Sequence, residues 1–290
     1  MNVLILGRGF VGTRLFRYLK SSSHITSVYA ISRAVVDYTD RDVLGTYLRL
    51  NPGTDIIINA SGYTGSPNVD ACESDKTSCW NLNVLLPVMI ESVCKESNIQ
   101  FIHISSGCIY NGYEQRWREE DSPNFGLHTD TSSWYSKTKH AAETLLDLSE
   151  TIVLRIRIPF TKDNTPRNYL MKLLHYDNLI SYLNSVTCIE DFNVFVSKLL
   201  STKPGPGIYN VVHDDPVSGR EVIEILQSVG IDNPNWEFTS IDNLDIIANR
   251  SNCILSTDKL ISLDMNLPYV YNALKQSASI LSKQLEWKNS

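Results

Sequence analysis

Up to Pro159 the chain alternates short, wholly apolar runs with longer amphipathic stretches. Val3 to Leu6 is the first run, and Phe10 to Leu19 follows it with apolar residues at helical spacing. Ser27 to Ile31 is a second run, and Val43 to Leu50 is short and helix-like. Asp55 to Ala60 is apolar through its centre, as a strand covered on both faces should be. The same reading predicts a long helix over Thr77 to Glu96 and a strand over Gln100 to Ser105. A helix over Tyr135 to Ser149 follows, then a strand from Thr151 to Ile158 that stops at Pro159. Strands alternating with crossover helices predict an α/β protein with a doubly wound parallel sheet.

Beyond Pro159 the periodicity loosens. Gly205 to Val212 holds a strand, Gly219 to Gly230 a helix, and Asp258 to Trp287 reads as mostly helical. This division predicts a nucleotide-binding domain at residues 1–159 with a return at about 186–211. A smaller, partly interleaved C-terminal substrate domain then takes 160–185 and 212–290. The length of 290 residues agrees, since it suggests about two domains.

Gly7-Arg8-Gly9-Phe10-Val11-Gly12 lies between the first strand and the first helix. Gly7 permits the tight turn, Gly9 lets backbone approach a pyrophosphate, and Gly12 lets helix and strand pack closely. The helix N-terminus, with Phe10 and Val11, offers unpaired N–H groups and partial positive charge. In this position the turn makes the predicted sheet Rossmann-type. An NAD site would carry an acid about twenty residues on. Ser32-Arg33 stands there instead, and a guanidinium suits the 2′-phosphate of NADPH. A solvated surface arginine is the other reading, and Arg8 is a second candidate for the role. Asp37 reads either as an adenine neighbour or as a helix cap. Asn59-Ala60-Ser61 ends a buried strand with small residues that leave room for a dinucleotide.

Trp134-Tyr135-Ser136-Lys137-Thr138-Lys139 places Tyr135 and Lys139 four apart, on one helix face. A nearby ammonium favours the phenolate, and the pair can relay a proton to a carbonyl oxygen. Ser105-Ser106 ends a strand, where a serine can donate a hydrogen bond to the same oxygen. A solvated Tyr/Lys pair is the plain alternative. The glycine turn upstream and Ser106 between them favour the reducing site.

In this order the glycine turn, Ser106 and Tyr135-x-x-x-Lys139 resemble the extended short-chain dehydrogenase/reductases, over nearly the whole chain. Gly207-Ile208-Tyr209-Asn210 extends the likeness, and that superfamily acts mostly on nucleotide sugars. A narrower resemblance rests on longer segments. They are Asn59 to Ser74 (NASGYTGSPNVDACES), Gly107-Cys108-Ile109-Tyr110, Glu119 to Phe125, Leu154 to Pro159 and Pro166 to Lys172. Together these resemble the bifunctional UDP-4-keto-6-deoxy-D-glucose 3,5-epimerase/4-reductases, which make UDP-L-rhamnose. More distantly they are similar to dTDP-4-dehydrorhamnose reductases.

The resemblance implies reduction by Tyr135, Lys139 and Ser106, and epimerisation by Cys108 and Lys172. Carbons 3 and 5 flank the carbon-4 ketone, so their protons are acidic through an enolate. Inverting each centre needs a base on one face and an acid on the other. A thiol and an amine fill those roles if their pKa values move toward neutrality. The plain alternatives are a small buried residue for Cys108 and a solvated helix lysine for Lys172; Ser106 and Gly107 beside Cys108 favour catalysis there. Arg167 and Asn168 are candidate contacts to diphosphate or sugar, and Arg157 reads as structural. Gln115, Arg116 and Trp117 receive no role.

The implied substrate is UDP-4-keto-6-deoxyglucose. An upstream 4,6-dehydratase must supply it, because this chain carries no dehydratase segment of its own. Two rival readings remain: a monofunctional 4-dehydrorhamnose reductase, for which Cys108 and Lys172 are superfluous, and a non-catalytic NADP-binding regulatory subunit, for which the Tyr135/Lys139 pair is. A homodimer follows only by analogy with the superfamily.

Composition narrows the partners. Lys plus Arg total 26 against 32 Asp plus Glu, a net charge of −6, so nucleic acid is not expected. Hydrophobic residues at 42% with 20% charged exclude gross disorder. No apolar run reaches the roughly 18 residues of a membrane span, and no signal-peptide pattern appears, so no membrane partner and a cytoplasmic location are expected. The six cysteines show no Cys-x-x-Cys pair or zinc spacing, and five read as reduced, buried thiols. His103 reads as a satisfied core residue; His128, His140 and His175 lack metal spacing, so no metal is expected.

Overall fold

The computed structural model describes residues 1–66 and 68–289, with side chains to residue 286. Pro67 of the Asn59–Ser74 segment, Ser290 and the Trp287 side chain lie outside the described residues. The chain opens with β1 (Asn2–Leu6), α1 (Phe10–Leu19), β2 (Ser27–Ile31), α2 (Arg41–Leu50) and β3 (Ile56–Asn59). Short helices α3 (Ala71–Ser74) and α4 (Lys76–Trp80) lead through a π-turn (Asn81–Leu85) into α5 (Leu86–Glu96). The single helix expected over Thr77 to Glu96 is therefore interrupted. Pro87 has no N–H to bond back to Asn83, and the helical ladder is irregular at that point.

Next come β4 (Gln100–Ser106), β5 (Gly112–Trp117), α6 (Trp134–Leu145), β6 (Ile152–Ile156), β7 (Pro159–Phe160) and α7 (Tyr169–Leu173). α6 ends earlier than the Tyr135 to Ser149 pattern predicts. The Asp147 N–H is taken by Glu91 of α5 at 2.9 Å, and Asp147 pairs with Lys95 at 2.7 Å, which draws the chain out of the helix. The short strands β8 (Asn178–Leu179), β9 (Leu183–Asn184) and β10 (Thr187–Cys188) precede α8 (Ile189–Thr202) and β11 (Gly207–Asn210). The rest is β12 (Val217–Ser218), α9 (Gly219–Ser228), β13 (Glu237–Phe238), β14 (Cys253–Leu255), α10 (Asp258–Ser262) and α11 (Val270–Asn289).

Six strands form one parallel sheet in the order β11-β6-β4-β3-β1-β2. Alternate residues of each strand face opposite sides. Val3, Ile5, Ile58 and Ile104 pack with Leu15 of α1 and Phe192 of α8. Leu4, Leu6, Ile57 and Phe101 pack with Leu44 of α2 and Ile90 of α5. Both faces are covered, which explains the unbroken apolar runs. The chain moves from β1 out to β2 and returns to β3 on the other side of β1. That reversal opens a crevice at the carboxyl ends of β1 and β3, the place where such sheets bind ligands. β4 reaches Ser106, opposite Ile156, three residues past the His103–Asn59 pair.

A separate cluster of Phe160, Leu170, Leu173, Val222, Leu226, Leu274 and Leu281 joins α7, α9 and α11. Of these, α7 lines the far wall of the crevice with Tyr169, Lys172 and Leu173, and α9 reaches it at Gly219. Among the described residues no helix is long and apolar enough to cross a membrane.

Candidate active site

A cavity of about 910 Å³ runs from the glycine turn to the far wall. At one end lie Gly9, Phe10 and Val11 with Ala60, Ser61 and Gly62. Gly7 has φ +104°, and a Cβ there would meet Ser61 N at 2.8 Å. A Cβ on Gly12 would sit 2.0 Å from the Gly7 carbonyl oxygen, so both glycines are required by the protein's own packing. At Gly9 a Cβ would meet nothing within 4 Å; this side of the turn faces open space. Gly9 caps α1 without a side-chain hydrogen bond, and its first turn carries no acid. The corner therefore fits a diphosphate at the helix N-terminus.

Ser32 and Arg33 follow β2, outside the main cavity, with Arg33 exposed and in no ion pair among the described residues. Arg8 is exposed beside the turn. Asp37 is not the helix cap. Asp40 caps α2 through Asp42 N and Val43 N at 2.8 and 3.0 Å, while Asp37 closes a local turn on Thr39 N at 3.2 Å.

Asn59 also departs from expectation. It is fully buried and does not line the cavity. Its carbonyl oxygen accepts from Ser61 N at 3.0 Å and from the Ser61 hydroxyl, and its amide bonds His103 Nδ1 at 3.2 Å. Asn59 shapes the turn that carries Ser61. His103 in turn is only half satisfied: its Nε2 has no partner among the described residues.

Tyr135 and Lys139 both line the middle of the cavity. Ser133 caps α6 by accepting from Ser136 N at 3.2 Å, so Tyr135 falls in the first turn. The Lys139 ammonium lies 5.9 Å from the Tyr135 ring centroid. Burial, and then the Cys108 thiol, raise the Tyr135 pKa well above the phenol range, while the Ser106 hydroxyl pulls the other way. Burial lowers the Lys139 pKa, and Glu143 opposes that shift. The expected lowering of the phenol by its lysine is not among the main causes of the shift; burial dominates and favours the protonated phenol, which suits a proton donor.

Ser105 and Ser106 both line the cavity, but the Ser105 hydroxyl is tied to Glu143 at 2.6 Å. That leaves Ser106 as the serine whose hydroxyl is not spent on a buried carboxylate. Cys108, half-buried, follows a turn in which its N–H donates to Ser106 Oγ at 3.3 Å. The other five cysteines are free and buried. Lys172, on α7, also lines the cavity. Burial, then Arg167 and Arg250, lower its pKa.

Arg167 is exposed at the rim and donates to Thr64 Oγ1 at 2.9 Å. Asn168 is placed elsewhere. It is fully buried and caps α7 through Leu170 N at 3.2 Å. It also accepts from Thr161 N at 3.1 Å and donates to the carbonyls of Thr161 and Asp163 at 2.7 and 2.9 Å. Its amide is fully committed within the protein, and it does not line the cavity. Arg157 is a buried strut to the Gly107 carbonyl at 3.3 Å and the Ser251 carbonyl at 2.7 Å.

One cavity residue and one buried brace behind the site escaped the sequence reading. Arg250 reaches the wall from a segment with no motif of its own. Asn83, in the π-turn, accepts from Tyr63 N at 2.7 Å and donates to Thr138 Oγ1 at 3.1 Å, bracing α6 from behind. No group of three or more potential metal ligands occurs among the described residues.

Residues 1–191 match the family model described as RmlD substrate binding domain. A bifunctional dTDP-4-dehydrorhamnose 3,5-epimerase/dTDP-4-dehydrorhamnose reductase from Arabidopsis thaliana is 31% identical over 272 residues, covering 89% of this chain and 86% of that protein. A trifunctional UDP-glucose 4,6-dehydratase/UDP-4-keto-6-deoxy-D-glucose 3,5-epimerase/UDP-4-keto-L-rhamnose-reductase of the same plant is 33% identical over 215 residues, 70% of this chain but only 32% of that longer protein. The crystal structure of the L780 UDP-rhamnose synthase from Acanthamoeba polyphaga mimivirus superposes with a TM-score of 0.86 at 25% identity, covering 97% of this chain and 99% of that one. A dTDP-4-dehydrorhamnose reductase from Bacillus anthracis, in complex with NADP, shares the fold with a TM-score of 0.79 at 18% identity, covering 95% and 97% of the two chains. The chain belongs to the RmlD substrate binding domain family.

Proposed function

We propose that this chain converts UDP-4-keto-6-deoxy-D-glucose to UDP-L-rhamnose, by 3,5-epimerisation and then NADPH-dependent reduction of the 4-ketone. The observation that carries the reading is the convergence of Ser106, Cys108, Tyr135, Lys139 and Lys172 on one cavity that begins at the glycine turn. One ketone pocket then serves both steps. The Arabidopsis bifunctional relative and the mimivirus synthase support the same assignment.

The glycine turn fits a dinucleotide diphosphate, and Arg33 suits a 2′-phosphate at the end of β2. NADPH, when bound, supplies hydride to the ketone carbon. Ser106 donates a hydrogen bond to the carbonyl oxygen and polarises it. Tyr135, protonated at neutral pH, delivers its proton to the same oxygen, and Lys139 supports the charge left behind. Before reduction, Cys108 and Lys172 exchange the acidic protons at carbons 3 and 5. Lys172, brought down from the usual ammonium range, suits that task. Arg167 and Arg250 beside it supply positive charge for the nucleotide diphosphate.

The test is incubation of the protein with UDP-4-keto-6-deoxyglucose in deuterated water, with and without NADPH, read by NMR. Deuterium at carbons 3 and 5, then UDP-rhamnose on adding NADPH, is the expected result. No exchange and no rhamnose rejects the bifunctional reading. Reduction of the pre-epimerised ketone alone would identify a simple 4-reductase.

A further inference from the structure

Tyr135, Lys139 and Glu143 lie on successive turns of α6, four residues apart, and so share one face. The first two line the cavity; Glu143 continues the row inward and is 5% exposed. Its carboxylate accepts from Ser105 Oγ of β4 at 2.6 Å and from Arg155 Nε and Nη2 of β6 at 3.0 and 2.7 Å. Arg155 Nη1 donates onward to the Tyr110 hydroxyl at 3.0 Å, and that hydroxyl donates to the Asp121 carbonyl at 2.8 Å. Ser105 adjoins Ser106, and Tyr110 stands two residues past Cys108. A single buried ion pair therefore fastens the helix of Tyr135 and Lys139, the strand end of Ser106 and the loop of Cys108 to one another.

Buried ion pairs are seldom the most stable filling for a core, because desolvation offsets much of the attraction. Placement directly behind a proton-transfer pair gives this one a second task. The groups facing Lys139 are Tyr135 and Glu143 on its own helix, Cys72 and Cys79 from α3 and α4, His103 from β4, and Cys108 from the loop after it. His103 is neutral, since burial drives its pKa well below the usual value. Glu143, one helical turn on from Lys139, is the carboxylate that most raises the Lys139 pKa against the effect of burial.

We propose that Glu143, locked by Arg155, is a positioning residue for ketone reduction: it fixes α6 against β4 and β6 and serves as counter-charge to the buried Lys139 ammonium. This rests on the reductase reading above. Three folded variants test it: Glu143→Gln, Glu143→Asp, and Glu143→Gln combined with Arg155→Met, which avoids a lone buried guanidinium. Two quantities are read, the pH profile of NADPH oxidation with the sugar nucleotide and the NMR titration of Lys139 in the ligand-free protein.

In Glu143→Gln the basic limb of the profile and the Lys139 titration should both move down by about one pH unit. The turnover number should fall by about 10- to 100-fold while KM for the sugar nucleotide stays within about twofold. Glu143→Asp, which keeps the charge, should hold the titration near that of the parent. A folded Glu143→Gln or double variant with parental turnover and parental Lys139 titration overturns the proposal. So does failure of both to fold, which would make the pair a stability element alone. If the parent oxidises no NADPH with such a sugar, the reductase reading falls, and the ligand-free titration still decides whether Glu143 governs Lys139.

Discussion

Arg250 grips Asp70 with both arms, Nη1 to Oδ1 at 2.8 Å and Nη2 to Oδ2 at 3.0 Å, across 180 residues of chain. The same carboxylate accepts the Ala248 N–H at 2.9 Å. Asp70 precedes α3 and Arg250 lies in the segment before β14, so the pair joins two walls of the cavity. Asp70→Asn keeps the size and removes the charge. Hydrogen exchange at the Ala248 amide should quicken, and KM for the sugar nucleotide should rise about tenfold, as loss of a charge-assisted bond predicts. Unchanged exchange at Ala248 would show that the fork does not hold this segment.

In the proposed function, the two chemical steps should separate by mutation. Tyr135→Phe should lower NADPH oxidation by about 10²- to 10⁴-fold, yet leave deuterium exchange at carbons 3 and 5. Cys108→Ala should do the reverse, losing exchange while still reducing a pre-epimerised ketone. Each is measured by NMR on the folded variant. Loss of both activities in either variant would contradict separate roles.

Arg33 discriminates between the two nicotinamide cofactors in this reading. Arg33→Ala should raise KM for NADPH by about tenfold or more and leave KM for NADH nearly unchanged, since only the former carries the 2′-phosphate. Equal changes for both would remove Arg33 from that contact.

His103 links stability to pH. Burial, and to a lesser degree the Lys139 charge, drive the imidazole pKa well below its usual value in the folded chain. Below about pH 6.5 the unfolded chain gains a proton at this residue that the folded chain refuses. The stability it contributes is thus complete above about pH 6.5 and falls as pH drops, by up to about 1.4 kcal/mol per pH unit. His103→Gln can still accept from the Asn59 amide and has no such titration. Its urea midpoint should depend less on pH than the parent's between about pH 5 and 7, and identical slopes would refute the assignment.

Much of this was legible in the residues themselves. The strands of the sheet appear as unbroken apolar runs because helices cover both its faces. The glycine turn is local stereochemistry, with Gly7 at φ +104° and no space for a Cβ at Gly12. Tyr135 and Lys139 share a face because four residues make about one helical turn. Resemblance to a family added Cys108 and Lys172, which no spacing rule could have singled out.

The departures from the sequence reading have a common form. Asn59 and Asn168 lie beside a strand end and an arginine, where a ligand contact is expected. Their amides are instead consumed by Ser61, His103, Thr161, Leu170 and Asp163. Asp37 looked like a cap, but the capping geometry belongs to Asp40, three residues on. Helix α6 stops at Leu145 because Glu91 and Lys95, on another helix, capture Asp147.

Sequence thus determined the periodicities, the turn and the placing of Tyr135 and Lys139 on one helix face, all set by covalent neighbours and helical or strand repeat. Tertiary structure alone decided which polar side chain faces the cavity. It tied the Ser105 hydroxyl to Glu143, joined Asp70 to Arg250, and placed the Glu143–Arg155 pair behind Tyr135 and Lys139. A buried polar group must find its partner wherever the folded chain presents one, and burial sets the protonation of groups whose bare pKa values a sequence can state but not shift.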